Sequence, residues 1–199
     1  MNPSERRNSM ENPFDAIIYG PVFSLFLKKR RLNPLDPGRP NIGVRPALEM
    51  LTMEKAFVNQ LITDSEMAEG CISGTWLYHN FLEDSHKLSQ SIDTPTGSYW
   101  HGIMHRREPD FSNSKYWFRK VGIHPVFEAL QRDAASLARG QDTSALFLVE
   151  QGTWDPFAFV DLCEACLSGQ SSDKMLCREI QQREWELLFE YSFQKAIGK

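Results

Sequence analysis

The chain has 199 residues, of which 41% are hydrophobic, and a formal net charge of −4. A chain of this size and apolar content can bury one substantial core without disulfides, so we expect a single domain. The acidic balance argues against bulk electrostatic attraction to nucleic acid or to an anionic membrane, because such attraction needs an excess of cations. A local basic patch is compatible with this balance.

The N-terminal region begins with polar residues 1–12, which are predicted to be frayed and leave 13–199 as the folded domain. The apolar run FDAIIYGPVFSLFL follows at 14–27 and is closed by four cations at 28–31. It is too short to span a bilayer, contains Asp15 and Pro21, and lacks a signal-peptide cleavage site. We therefore predict a core helix here and no transmembrane segment, with interfacial membrane attachment as the alternative.

Further along the chain, residues 32–46 are rich in proline and glycine and are predicted to be irregular. Apolar residues then recur at intervals of three and four, which predicts successive helices. These cover 47–62, 67–82, 98–108, 112–122, 124–140, 154–169 and 171–198. The one strand-like run, SALFLVEQG at 144–152, has no partner strand. The prediction is an all-α fold, a single compact helical domain of roughly six to eight helices.

Two other features of the composition bear on environment and surface. The four cysteines are irregularly spaced and no convincing export signal precedes them, so reduced thiols and a cytoplasmic location are expected. The pair Cys163 and Cys166 lacks a second such pair, so buried packing is favoured over zinc or redox chemistry. On the last helix, Glu184, Glu186 and Glu190 are predicted to form a solvated face.

The segment YWHGIMHRREPDFSNSKYWFRKVGIHP at 99–125 predicts two helices joined at Pro109 and Asp110, the second capped by Ser112 and ended by Gly122. It resembles a tetratricopeptide hairpin, in which a close-packing glycine, a small residue, an aromatic residue and a proline recur. The matching positions are Gly102, Ser114, Phe118 and Pro125, whereas Ser98, His101 and His105 depart from the pattern. No second copy lies about 34 residues away, so this resemblance predicts one hairpin and not a solenoid.

A longer resemblance covers SHKLSQSI at 85–92 and GSYWHGIMHRREPDFSNSKYWFRKVGIHP at 97–125. This core is similar to that of a family of uncharacterised bacterial proteins, which carry closely similar YWH..MHRRE and N.KYWFR segments. The resemblance implies that the core is a structural unit. It transfers no catalytic residue.

All five histidines lie between residues 79 and 124. His101 and His105 are four residues apart and Glu108 follows three later, so a helix places all three on about one face. Two imidazoles one turn apart can bind a divalent metal, with the carboxylate as a third ligand or a general base. Further ligands could come from His86, His79, Glu83 or Asp84. The alternative is that these histidines are hydrogen-bonded structural residues.

The same core is rich in cations and aromatic rings, which suggests a pocket for a small anionic or polar molecule. The leading hypothesis is a helical ligand-binding domain that uses His101, Arg106, Arg107, Trp100 and Asn113. Its alternative is a buried ion network in which the two arginines pair with Glu108, Asp110, Glu83 and Asp84. A metal-dependent hydrolase with the His-x-x-x-His pair is the second hypothesis, and a protein-interaction scaffold is the third. Nucleic-acid binding is disfavoured because the basic patch is short.

Overall fold

The computed structural model describes residues 14–140 and 145–199, and the predicted frayed segment 1–12 lies outside them. In these ranges the secondary structure is helical and contains no strand, which confirms the all-α prediction. The strand-like run is represented there by a short helix. The α-helices are α1 (Pro21–Leu27), α2 (Arg45–Glu49), α3 (Met53–Ala56), α4 (Ser65–Tyr78), α5 (Leu82–Ser89), α6 (Pro95–Arg107), α7 (Phe111–Val121), α8 (Val126–Ala138), α9 (Phe147–Glu150), α10 (Pro156–Leu167) and α11 (Lys174–Ala196).

The apolar run at 14–27 forms two short elements, so the prediction of one core helix is wrong. The Asp15 carboxylate accepts a hydrogen bond from the backbone N–H of Ile17 and starts a 3-10 helix, Ala16–Tyr19. This helix ends at Gly20, whose φ of 90° lies in the region that glycine tolerates best. The chain then re-enters a helix at Pro21, a residue suited to a first turn.

The predicted helix over 47–62 is also divided, into α2 and α3. Thr52 adopts an extended conformation, and its hydroxyl accepts a hydrogen bond from the N–H of Lys55. A capping threonine in the middle of an apolar pattern starts a new helix rather than continuing the old one. Asn59, with a φ of 66°, then turns the chain beyond α3.

The centre of the fold is the contact of α4, α6 and α11, in which two tryptophans connect the helices. The Trp100 indole donates to Ser192 Oγ at 3.2 Å, and the Trp185 indole donates to the Gly74 carbonyl at 2.9 Å. Gly74 leaves the space that the Trp100 ring occupies. The long final helix predicted from the sequence is confirmed, and it lies at the core rather than at the edge.

Of the three acidic residues of α11 predicted to form a solvated face, Glu184 and Glu186 are buried and Glu190 is partly buried, so this prediction is wrong. Glu184 has no exposed surface, and it pairs with Arg106 and accepts from the Tyr99 hydroxyl at 3.1 Å. Glu186 is buried as well, and Glu190 accepts from the Tyr19 hydroxyl. A buried carboxylate needs such partners, because an unpaired buried charge is strongly destabilising.

The helical hairpin predicted at 99–125 is present as α6 and α7. Asp110, and not Ser112 as predicted, caps α7 by accepting from the N–H of Asn113 at 3.2 Å. The Ser114 hydroxyl donates to the Gly102 carbonyl at 2.8 Å, which holds the two helices close together. Gly122, with a φ of 62°, ends α7 as predicted.

Two remaining predictions concern the thiols and the membrane. All four cysteines are buried and free of disulfides, and the sulfur atoms of Cys166 and Cys177 are 3.6 Å apart. Among the helices of the described residues, none has the length and apolar character needed to cross a bilayer.

Candidate metal centre

Three imidazoles converge where α5 meets α6, and we call His86, His101 and His105 the three-histidine cluster. One ring nitrogen of each lies within 4.8 Å of the others. Their ring centroids are 4.6 Å apart for His86 and His101, 4.7 Å for His101 and His105, and 5.2 Å for His86 and His105. The grouping joins the pair on α6 with His86 from a second helix, which the sequence analysis named as a possible further ligand.

Local structure fixes both helices that carry the cluster. The Ser73 hydroxyl of α4 donates to the Ser85 carbonyl at 2.9 Å, which holds α5 in place beside His86. Thr94 caps α6 by accepting from the N–H of Gly97. Because His101 and His105 are one turn apart on α6, their rings stack with 15° between the planes.

Within residues 14–140 and 145–199, His101 has no hydrogen-bonding partner for either ring nitrogen, although it is only 2% exposed. Burial, together with the nearby His105, His86 and Lys120, lowers its pKa to about 3, so the ring is neutral at pH 7. Buried polar atoms nearly always have a partner. A neutral imidazole with a free lone pair beside two other imidazoles has the chemistry of a metal ligand.

His105 contacts a carboxylate and an amide. Its Nδ1 lies 3.2 Å from Glu108 Oε2, and the Asn113 amide nitrogen lies 3.1 Å from Nε2 and 3.4 Å from Nδ1. Burial and the neighbouring His86 lower the His105 pKa to about 4, against the opposite effect of Asp110. Burial raises the pKa of Glu108, whose side chain remains 37% exposed. Glu108 thus lies on the side of the cluster that faces solvent.

Helix α7 completes the cluster with an aromatic wall and a positive charge. The Trp117 ring stacks on His101 with centroids 3.8 Å apart, and Lys120 Nζ lies 4.5 Å from the centroid of the Trp117 ring. Trp117 is four residues after Asn113 and therefore lies on the same face of α7. Trp117 was missing from the residues predicted to bind a small ligand. Its four-residue spacing from Asn113 was the feature of the sequence that could have identified it.

The structure divides the residues predicted to bind a small ligand. His101 belongs to the cluster and Asn113 contacts it, whereas Trp100 and Arg106 are fully enclosed in the core. Arg106 pairs with Glu184, and its guanidinium lies 4.6 Å from the Phe159 ring centroid. Ligand binding by the full set of five stays a prediction.

Arg107 is also enclosed, and its guanidinium is used to hold a loop. It donates to the Asp36 and Pro37 carbonyls at 3.1 Å and to Asn80 Oδ1 at 2.8 Å. Burial and the adjacent Arg106 lower its pKa to about 9. The alternative prediction named the wrong acidic partners for both arginines.

The other residues considered as metal ligands have separate contacts. Asp84 pairs with Arg45 at 3.1 Å, and Glu83 with Lys87 at 3.5 Å. His79 lies 3.2 Å from the Phe26 carbonyl oxygen, and His124 lies 3.2 Å from Thr96 Oγ1. These two histidines are hydrogen-bonded structural residues, as the alternative prediction had it.

In comparisons with protein-family models, with curated proteins and with solved structures, nothing matches this chain. The resemblances of the core to a bacterial family and to a tetratricopeptide hairpin therefore stay predictions. The geometry of the three-histidine cluster carries the functional conclusion.

Proposed function

We propose that the chain binds a divalent transition metal through His86, His101 and His105 and uses it to hydrolyse a substrate. The observation that carries this proposal is the environment of His101, whose two ring nitrogens are buried beside two imidazoles and have no hydrogen bond to the described part of the chain. A metal ion bonded to one of these nitrogens would supply the missing interaction. Three imidazoles are a ligand set that suits zinc and other late first-row ions.

The spacing of the cluster supports this proposal. Two ligand atoms on one tetrahedral zinc ion, each bonded at about 2.1 Å, are roughly 3.4 Å apart. The Nδ1 atom of His105 and Oε2 of Glu108 are already 3.2 Å apart, and the three imidazoles need only close from within 4.8 Å. Closing the cluster around one ion would therefore shorten separations of up to 4.8 Å to roughly 3.4 Å.

Asn113 would fix the tautomer of His105. If Nδ1 binds the metal, Nε2 carries the proton, and the amide of Asn113 can turn so that its oxygen accepts that proton. Metal-binding histidines generally have such a partner on the second nitrogen. The 3.1 Å separation between Asn113 and Nε2 fits this arrangement.

The reaction follows from the open side of the cluster. A zinc ion held by the three histidines would leave room for a bound water and would lower the pKa of that water towards about 7. Glu108, partly exposed and with a raised pKa, would serve as a fourth ligand or as the base that takes the proton of this water. Lys120 adds positive charge near the cluster, which favours an anionic substrate.

Metal binding is tested on protein purified without a polyhistidine tag and stripped with a chelator. Titration with zinc against a chromophoric chelator is expected to show one ion per chain, and His86→Asn is expected to weaken binding at least about tenfold. His124→Gln, at a buried histidine outside the cluster, is the matched control and should bind as the unaltered chain does. Absence of binding, or equal loss in both variants, would refute the metal site.

Hydrolysis is tested separately, with p-nitrophenyl acetate and p-nitrophenyl phosphate as probes and zinc present. Glu108→Gln distinguishes the two roles of this carboxylate. A base is indicated by unchanged zinc affinity with a fall in rate of about 100-fold or more, and a ligand by weaker zinc binding. If zinc binds but the zinc-loaded chain accelerates neither probe, the metal site stands and the hydrolase proposal for these ester classes fails.

A further inference from the structure

A second surface, formed by other elements than the metal centre, combines exposed apolar side chains with a basic run. It consists of Ile17 and Ile18 in the 3-10 helix, Leu25 in α1, and Lys28 and Lys29 just after α1, and we call it the N-terminal face. We propose that the N-terminal face docks onto the surface of an anionic lipid bilayer. The inference is independent of the metal centre.

The apolar part of the N-terminal face is unusually exposed for such large side chains. Ile17 is 73% exposed, Leu25 is 69% exposed and Ile18 is exposed as well. The opposite sides of the same two elements carry Tyr19 and Phe23 into the core. The buried side chains therefore anchor the two short elements to the core, whereas the side chains on their outer sides are exposed.

The basic part adjoins the apolar part directly. Leu25 precedes Lys28 by three residues, and Lys28 keeps helical dihedral angles, so these two side chains share the outer face of α1, and Lys29 follows directly in sequence. Both lysines are exposed. The end of α1 is thus followed by two cations, close to its exposed leucine.

A shallow cavity of about 160 Å³ shows that the two elements contribute to one surface. Its lining includes Ile17 from the 3-10 helix together with Lys28 and Arg30 from the end of α1. Ile17 and Lys28 are consequently neighbours in space although they belong to different elements.

Acidic groups near the N-terminal face are engaged in other contacts. The Asp15 carboxylate caps the 3-10 helix at the N–H of Ile17. Glu190 accepts from the Tyr19 hydroxyl, and the buried Glu186 lies within 3.6 Å of Arg30 and 3.4 Å of Arg183. Neither Lys28 nor Lys29 is in an ion pair of the described residues, and the two lysines outnumber the exposed Asp15 carboxylate that lies beside them.

An anionic bilayer offers both kinds of contact that this face requires. Apolar side chains enter the boundary between headgroups and acyl chains, while lysines remain at the level of the phosphates. Each cation near an anionic leaflet contributes about 1 kcal/mol, or roughly fivefold in affinity. A local basic patch is sufficient for this, so the overall charge of −4 is no obstacle.

The test is sedimentation of the full-length chain with vesicles of phosphatidylcholine alone or mixed in equal parts with phosphatidylglycerol. Binding is expected with the anionic vesicles, and it should weaken as salt is raised. Leu25→Ser combined with Ile17→Ser should lower the partition coefficient about tenfold or more. Lys28→Gln combined with Lys29→Gln should lower it about 25-fold.

Matched controls replace equally exposed residues elsewhere in the chain. Ile123→Ser alters a side chain that is 97% exposed, and Lys87→Gln alters an exposed lysine on α5. Both should bind vesicles as the unaltered chain does. The proposal is overturned if anionic vesicles do not sediment the chain, or if control and test variants bind alike. It is also overturned if Leu25→Ser abolishes self-association but leaves vesicle binding unchanged, because the exposed leucine would then serve a contact between copies of the chain.

Discussion

The indole of Trp117 lies almost parallel to the imidazole of His101, with 16° between the planes and 3.8 Å between the centroids. Because the described residues offer the His101 ring no hydrogen bond, its orientation depends on this stacking and on its contacts with the rings of His105 and His86. A ligand that is held by packing alone is sensitive to the residue it packs against. The stacking of Trp117 should therefore influence metal affinity without contacting the metal.

We predict that Trp117→Leu lowers the zinc affinity of the chain about tenfold, in the range known for residues that support metal ligands. The smaller side chain leaves the His101 ring free to rotate away from the cluster. Competition with a chromophoric chelator measures the effect. Tyr116→Leu, at the neighbouring and more exposed aromatic residue, is the control and should leave zinc affinity unchanged. Equal affinities of the two variants would show that the stacking does not orient the ligand.

The ion pair between Arg106 and Glu184 should contribute strongly to stability when one partner is removed. Arg106→Met is predicted to lower the free energy of unfolding by about 3–5 kcal/mol, because Glu184 would remain buried and charged without its cation. Urea unfolding at neutral pH measures this change. Lys87→Met, which removes an exposed partner of Glu83, is expected to change stability by less than about 0.5 kcal/mol.

The paired variant Arg106→Met with Glu184→Leu distinguishes loss of the ion pair from loss of packing around the guanidinium. Removing both charges should restore most of the stability, since no uncompensated charge is left in the core. If the paired variant is as unstable as Arg106→Met alone, packing around the guanidinium and not the ion pair is responsible. The Phe159 ring below Arg106 is the contact that would then be tested next.

The helices that the sequence predicted correctly are those whose ends are marked by a capping residue, a first-turn proline or a terminating glycine. Asp155 and Pro156 start α10, and Gly140 and Gly169 follow the ends of α8 and α10, all as expected from local chemistry. The sequence failed where two signals competed within one apolar run. Gly20 and Thr52 each interrupt such a run, and at both positions the backbone preference prevailed over the hydrophobic pattern.

The candidate site was predicted in part for a related reason. The spacing of His101 and His105 on one helix is a local property and was readable, whereas the approach of His86 depends on how α5 packs against α6. The partner of Arg106 lies 78 residues away along the chain, so no local pattern could show that this cation is already paired. Charge composition alone therefore suggested an open basic pocket where the fold has a buried ion pair.

Gly74 is predicted to be required for the contact of α4 with the Trp100 ring. A Cβ atom at this position would lie 2.7 Å from the Trp100 ring, which is fully buried and rigid. Gly74→Ala should therefore lower the free energy of unfolding by about 1–3 kcal/mol, in spite of the higher helix propensity of alanine. Gly43→Ala, where the nearest atom is 4.0 Å away, is the control. Similar unfolding midpoints for both variants would contradict the close contact.

Acid should destabilise the chain partly through His124, a histidine outside the three-histidine cluster. Burial lowers its pKa to about 4, while in the unfolded chain the pKa is about 6.5. Between these values the unfolded state binds the extra proton, so stability is fully present above about pH 6.5 and is lost as pH falls towards 4. The loss from this residue at about pH 5 is roughly 2 kcal/mol.

His124→Gln isolates this contribution, because the amide can still bond Thr96 but takes up no proton. Urea unfolding at about pH 7.5 and about pH 5 should show a smaller loss of stability for the variant than for the unaltered chain. The free energy of unfolding of the variant is thus expected to be lower than that of the unaltered chain at the higher pH. At the lower pH the difference between the two proteins should be smaller. An identical loss in both proteins would mean that His124 is protonated in the folded state at pH 5, and that its burial between Tyr99 and Tyr191 does not exclude the charge.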